Sequence, residues 1–119
     1  MDIVETIDNA LTNALEPLEI QSFYGWYEED INDTYVTFIQ LNNNETDFAD
    51  EEAESVLYYV QVDIWSRENA EELKKTIKLA MKTIKNCTYE QCQDFYEYDI
   101  KIFHKALRFY ILEEVTEDE

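Results

Sequence analysis

His104 is the only histidine of the chain, Cys87 and Cys92 are its only cysteines, and it has three serines. A C-x4-C pair with no second pair and a single histidine falls short of the about four ligands a structural zinc needs. Free, reduced thiols are the expectation. A Ser, His and Asp set can be drawn on paper from the serines and His104, but no nucleophile-elbow motif surrounds any of them. His104 stands beside Phe103 in a strand-like run and reads as a packed or interfacial histidine. One glycine, Gly25, excludes the Gly-rich phosphate loops and the dinucleotide fingerprint, which need several residues without a side chain. Carboxylates are so numerous that two falling close together say nothing about acid-base catalysis. The residues therefore predict no catalytic site, no cofactor and no metal.

What chemistry there is lies in charge. The net charge is -19 over 119 residues, and residues 1–66 hold sixteen Asp/Glu with no Lys or Arg, whereas residues 67–119 hold all nine Lys/Arg against twelve Asp/Glu. Such a balance argues against binding nucleic-acid phosphates, which requires positive charge to release counterions, and against anionic membranes. Solubility alone is the plain explanation. No stretch approaches the roughly 20 apolar residues of a spanning helix, and the N-terminus lacks the pattern of a signal peptide, so a cytosolic location is expected.

Two charged features stand out. Lys74, Lys78, Lys82 and Lys85 form a stripe beside the apolar face of a predicted helix, the main basic feature of an acidic chain. An acidic connection holds Asp47, Asp50, Glu51 and Glu52 around a single large apolar residue, Phe48. It lacks the glycine and ligand spacing of a calcium loop and reads as a solvated acidic loop. The predicted subunit-contact residues are Lys74, Lys78 and Lys82, which would face the acidic N-terminal half of a neighbouring copy, and Asp47, Asp50, Glu51 and Glu52 of the acidic connection.

The elements that must position these groups follow from periodicity. Ile3, Val4, Ile7, Leu11, Ala14 and Leu15 recur at spacings of three and four, a helix that Pro17 ends. Ile20 to Tyr24 has strand character before Gly25, and Trp26 and Tyr27 are expected in the core. Thr34 to Leu41 alternates as a strand, followed by an expected mobile loop over residues 42–54. From Val56 to Trp65 the chain alternates, with Tyr58, Val60, Val62 and Ile64 on the face expected to meet helices and Leu57, Tyr59, Gln61, Asp63 and Trp65 on the other. A helix follows over Glu68 to Lys85, with Ser66 or Asn69 as its cap. Thr88 to Phe95 and Ile102 to Glu114 pair as a hairpin, Lys105 interrupting the apolar face of the second strand, and residues 115–119 should fray. The expectation is a single α+β domain over residues 1–119, a mixed sheet of about four to five strands with two helices on one face.

The order helix, short strand ending near Gly, strand and variable loop, a strand written Val60-Gln61-Val62-Asp63-Ile64-Trp65, helix and terminal hairpin resembles the tail-completion proteins of long-tailed bacteriophages, also called tail terminators or head-tail joining proteins. The resemblance spans nearly the whole chain and rests on layout rather than on a catalytic signature. It implies a ring, usually hexameric, that caps the tail tube and joins it to the head, with the tail-tube protein and a head-completion or connector protein as partners. Location in the virion, after assembly in a bacterial cytoplasm, follows from the same likeness. Asymmetric charge suits head-to-tail contacts, and an acidic lumen would let DNA pass without sticking. Two alternatives stay open: an acidic inhibitor that mimics DNA, and a neighbouring head-completion component.

Overall fold

The computed structural model describes residues 2–25, 34–46 and 55–114, and for residues 42–46 the strand but not the side chains. In order the elements are helix α1 (Ile3–Leu15), strands β1 (Gln21–Tyr24), β2 (Tyr35–Thr46) and β3 (Ser55–Ser66), helix α2 (Glu71–Lys82), and strands β4 (Cys87–Glu97) and β5 (Ile102–Glu114). The five strands form one sheet in the order β1-β2-β3-β5-β4. Only β1 and β2 pair in parallel; the other neighbours are antiparallel. The fold is thus α+β with a mixed sheet, as expected.

β3 and β4 run in the same direction with β5 between them, so α2 is a crossover that carries the chain over one face of the sheet. α1 lies against α2 on that face. The reason is visible in the phases of the strands: Val36 and Phe38, Val60, Val62 and Ile64, and Leu107, Phe109 and Ile111 are all buried and meet Ile3, Ile7, Leu11 and Leu15 of α1 and Leu73, Ile77 and Met81 of α2. The predicted helix-facing side of β3 is therefore the core side. Burying this many large aliphatic side chains, each worth roughly 1.5–3 kcal/mol relative to exposure, is the main force holding the helices down.

The punctuation follows local chemistry. Asp2 caps α1 by accepting the Glu5 amide at 3.1 Å. Pro17 sits in a single 3₁₀ turn, Glu16–Leu18, that finishes the helix, and Glu19 then takes a left-handed φ of 59°. Gly25 ends β1 at φ 85°, a conformation that the bare backbone of glycine tolerates, and its amide donates to the Phe38 carbonyl at 2.8 Å.

Three expectations change. Residues 42–46, expected in the loop, belong to β2: after a register shift between Gln40 and Asn43, residues 43–46 pair with Ser55–Tyr58. Backbone pairing outweighs the poor strand propensity of asparagine here. The helix expected over Glu68 to Lys85 is shorter, and its N-cap is Ala70, with neither Ser66 nor Asn69 in that role. Ser66 Oγ instead accepts the Glu68 amide at 3.1 Å and the Thr34 hydroxyl at 2.9 Å, which fixes the turn leaving β3. β4 also begins earlier and ends later than Thr88 to Phe95. Trp26, Tyr27, the acidic residues Asp47, Asp50, Glu51 and Glu52, and the tail 115–119 lie outside the described residues.

Candidate assembly surface

α2 presents its lysines in two ways. Lys82 is exposed, while Lys74 and Lys78 are half-buried. Lys78 lies over the ring of Tyr89 on β4, its Nζ 4.1 Å from the centroid, so part of its charge is already engaged by an aromatic face. Of the seven residues predicted for the subunit contact, the structure thus places three on one helix face.

Between this face of α2 and β4 lies a groove of about 410 Å³, walled by Lys78, Leu79 and Lys82 and floored by Cys87, Tyr89 and Phe109. Burial pushes the Cys87 thiol up to about 11, and burial also raises the Cys92 thiol above its ordinary range. Both cysteines are free. At neutral pH they are protonated, weakly nucleophilic groups that pack against the core.

Sequence reasoning did not foresee the two polar clusters that brace the sheet. Lys105 stands on the core side with 3% exposure, and its ammonium donates to Glu71 Oε2 at 2.6 Å and to both oxygens of Asp94 at 3.2 Å. Burial works against its charge, but the bonds to Glu71 and Asp94 outweigh that and hold the ammonium above its usual range. The bond from Lys105 holds the Glu71 carboxyl below the usual carboxylate range. The signal in the sequence was the interruption itself: a lysine in phase with Leu107 and Phe109 must reach an anion at the sheet edge.

On the other side of the sheet, His104 Nε2 lies 2.7 Å from Asp63 Oδ1, and its ring stacks on Trp65 with centroids 3.8 Å apart. Gln61 Nε2 donates to Asp63 at 2.9 Å, and Arg108 Nε donates to Gln61 Oε1 at 2.8 Å. Trp65 Nε1 donates to the Thr37 hydroxyl at 3.0 Å. This chain of bonds ties β2, β3 and β5 together across their faces. Ser66, next to Trp65 and on the opposite face, spends its hydroxyl on Glu68 and Thr34, so it completes no triad with His104 and Asp63. His104 is a packed histidine, as its sequence setting suggested.

Among the described residues no buried side-chain nitrogen or oxygen lacks a partner, and no three His, Cys, Asp or Glu residues are grouped to hold a metal ion. Nor is any described helix long and apolar enough to cross a membrane.

The most exposed large apolar residues lie on the groove wall and on the hairpin turn. Leu79 on α2 is 66% exposed, and the turn between β4 and β5 carries Tyr98 at 81% and Ile100 at 59%.

Comparison with known proteins is informative through shape alone. No family model matches the chain, and no curated protein matches it in sequence. Among solved structures, a chain from the virion of a native gene transfer agent particle superposes with a TM-score of 0.53 at 9% identity, over 92% of this chain and 84% of that one. The two share a fold along almost their full lengths.

Proposed function

We propose that the chain is a structural subunit of a phage-like virion that assembles head to tail into a ring, caps the tail tube and joins it to the head. The observation that carries this reading is the fold shared with a gene transfer agent virion chain over nearly the whole of both molecules. The tail-completion layout read from the sequence supports the finer role, and a usually six-membered ring comes with that layout. No catalytic activity is proposed. The acidic N-terminal half, with no Lys or Arg before Arg67, would line or flank a passage that DNA traverses without sticking.

In this reading Lys74, Lys78 and Lys82 are the positive half of the contact between neighbouring subunits, facing carboxylates of the next copy. Reversing all three to Glu keeps helix propensity, so the circular dichroism spectrum should be unchanged. Oligomers should dissociate at lower dilution, and added salt should partly restore them by screening the new repulsion. Removing the protein from the particle that encodes it should leave filled heads beside separate tails. Joined, infectious particles without it would sink the proposal.

A further inference from the structure

The groove between α2 and β4 has an apolar floor and a cationic rim. Leu79 is the telling residue, because it stands on a helix whose other outward positions are mostly charged, yet it is two-thirds in water. A segment that fills such a groove should bring an apolar side chain flanked by carboxylates. Such a segment exists at the far end of the same hairpin. The turn after β4 reads Glu97-Tyr98-Asp99-Ile100, with Tyr98 and Ile100 exposed and the Tyr96 and Tyr98 rings edge to face at 4.8 Å. The Lys101 amide closes the turn on the Glu97 carbonyl at 2.7 Å, and Lys101 takes a left-handed φ of 57°. Pinned at its base, the tip presents its side chains with little further ordering to lose on binding.

Groove and tip lie at opposite ends of β4, ten residues apart from Cys87 to Glu97, a span of roughly 30 Å along a strand. A chain cannot fill its own groove. We infer that the β4–β5 hairpin tip of one copy seats Tyr98 and Ile100 in the α2–β4 groove of the next, with Glu97 and Asp99 meeting Lys78 and Lys82. The two patches differ, so the contact is heterologous and propagates from copy to copy until rotation closes it. The inference rests on the ring reading for closure and names the element that the lysines receive.

Disulfide trapping tests it in the full chain. In a Cys87→Ala, Cys92→Ala background, Leu79→Cys and Tyr98→Cys together should give, on mild oxidation, a ladder of covalent oligomers that collapses to monomer on reduction. Either cysteine alone should give no species beyond a dimer. Sedimentation of the unmodified protein reads oligomer formation independently. An oligomer without the ladder overturns the tip-in-groove contact and leaves the ring reading intact. A ladder from Leu79→Cys with Phe48→Cys instead assigns the groove to the acidic segment around Asp47 and Asp50, and also overturns it. A protein that stays monomeric, alone and with tail tubes, overturns the ring and this contact together. As a second check, Ile100→Glu changes an exposed turn residue, so it should leave the circular dichroism spectrum unchanged while abolishing the oligomer.

Discussion

The two faces of the sheet each carry an ionisable residue in the middle of a strand, and they house it differently. On the helix-covered face Lys105 is a buried charge in phase with Leu107 and Phe109, and it is neutralised at the edge by carboxylates that remain largely in water, Glu71 at 53% and Asp94 at 63% side-chain exposure. On the other face Asp63 lies within an aromatic and amide surface, and its partners His104 and Gln61 are themselves partly buried. The covered face therefore depends on apolar packing and tolerates one charge because that charge reaches the rim. The other face depends on hydrogen bonds between strands, with Trp65 stacked at its centre.

The largest effect should come from placing a second charge on the covered face. Val62→Asp puts a carboxylate at a fully buried position on the helix-covered face, at a cost of about 4 kcal/mol or more, enough to unfold a domain of this size. Gln61→Asp, one position along, points to the other face near Arg108 and should cost about 1–2 kcal/mol. Thermal melts of the two variants compare the faces directly, and similar midpoints would mean that the faces are not distinct.

A smaller difference concerns which member of the Lys105 cluster matters. Replacing both acids, Glu71→Gln with Asp94→Asn, leaves a buried ammonium facing only neutral acceptors and should lower the melting temperature by roughly 5–10 °C. Lys105→Met keeps the packed stem and frees two carboxylates that water already solvates, so its midpoint should stay within about 3 °C of the parent. If the lysine variant proved the worse of the two, the ion cluster would be a source of stability rather than a solution to burial. On the opposite face His104→Ala removes a stacking partner of Trp65 and a partner of Asp63, for an expected loss of about 1–2 kcal/mol together with a change in tryptophan fluorescence.

The same comparison explains what could be read from the sequence. The alternation from Tyr58 to Ile64 displays which residues share a face, and the spacing of Ile3, Ile7 and Leu11 displays a stripe, because both depend only on local backbone geometry. Strand order does not: nothing local in β5 says that it inserts between β3 and β4, and residues 43–46 became strand by pairing with Ser55–Tyr58 across the connection. The lysine stripe was legible as a pattern on one helix. The groove beside it was not, since Tyr89 and Phe109 reach it from two strands whose neighbours are set only by the whole fold. Lys105 showed itself as an irregularity, yet its partners lay on a helix cap region and an edge strand that only the tertiary structure brings together.

The smallest effect sharpens the account of Lys105 through pH. The Glu71 carboxyl in the folded protein lies below its ordinary 4.5, so between those two values the unfolded chain binds the proton that the folded chain does not. Stability must therefore rise with pH in that window: the contribution of the pair is fully present above about 4.5 and is lost as pH falls through the depressed folded value. At the other extreme the Lys105 ammonium is held above its ordinary 10.5, so its contribution is present below that value and is lost as pH climbs through the raised one. Half-exposure of Glu71 keeps the acid limb modest, because water screens the attraction. Urea midpoints measured from pH 3 to 6 should show a small acid-side slope in the parent that flattens in Lys105→Met. Other carboxylates titrate in the same range and are common to both proteins, so only the difference between the two curves reports on this cluster. An identical slope in both would mean that Glu71 does not depend on Lys105 for its charge, and that the 2.6 Å contact is packing without electrostatic consequence.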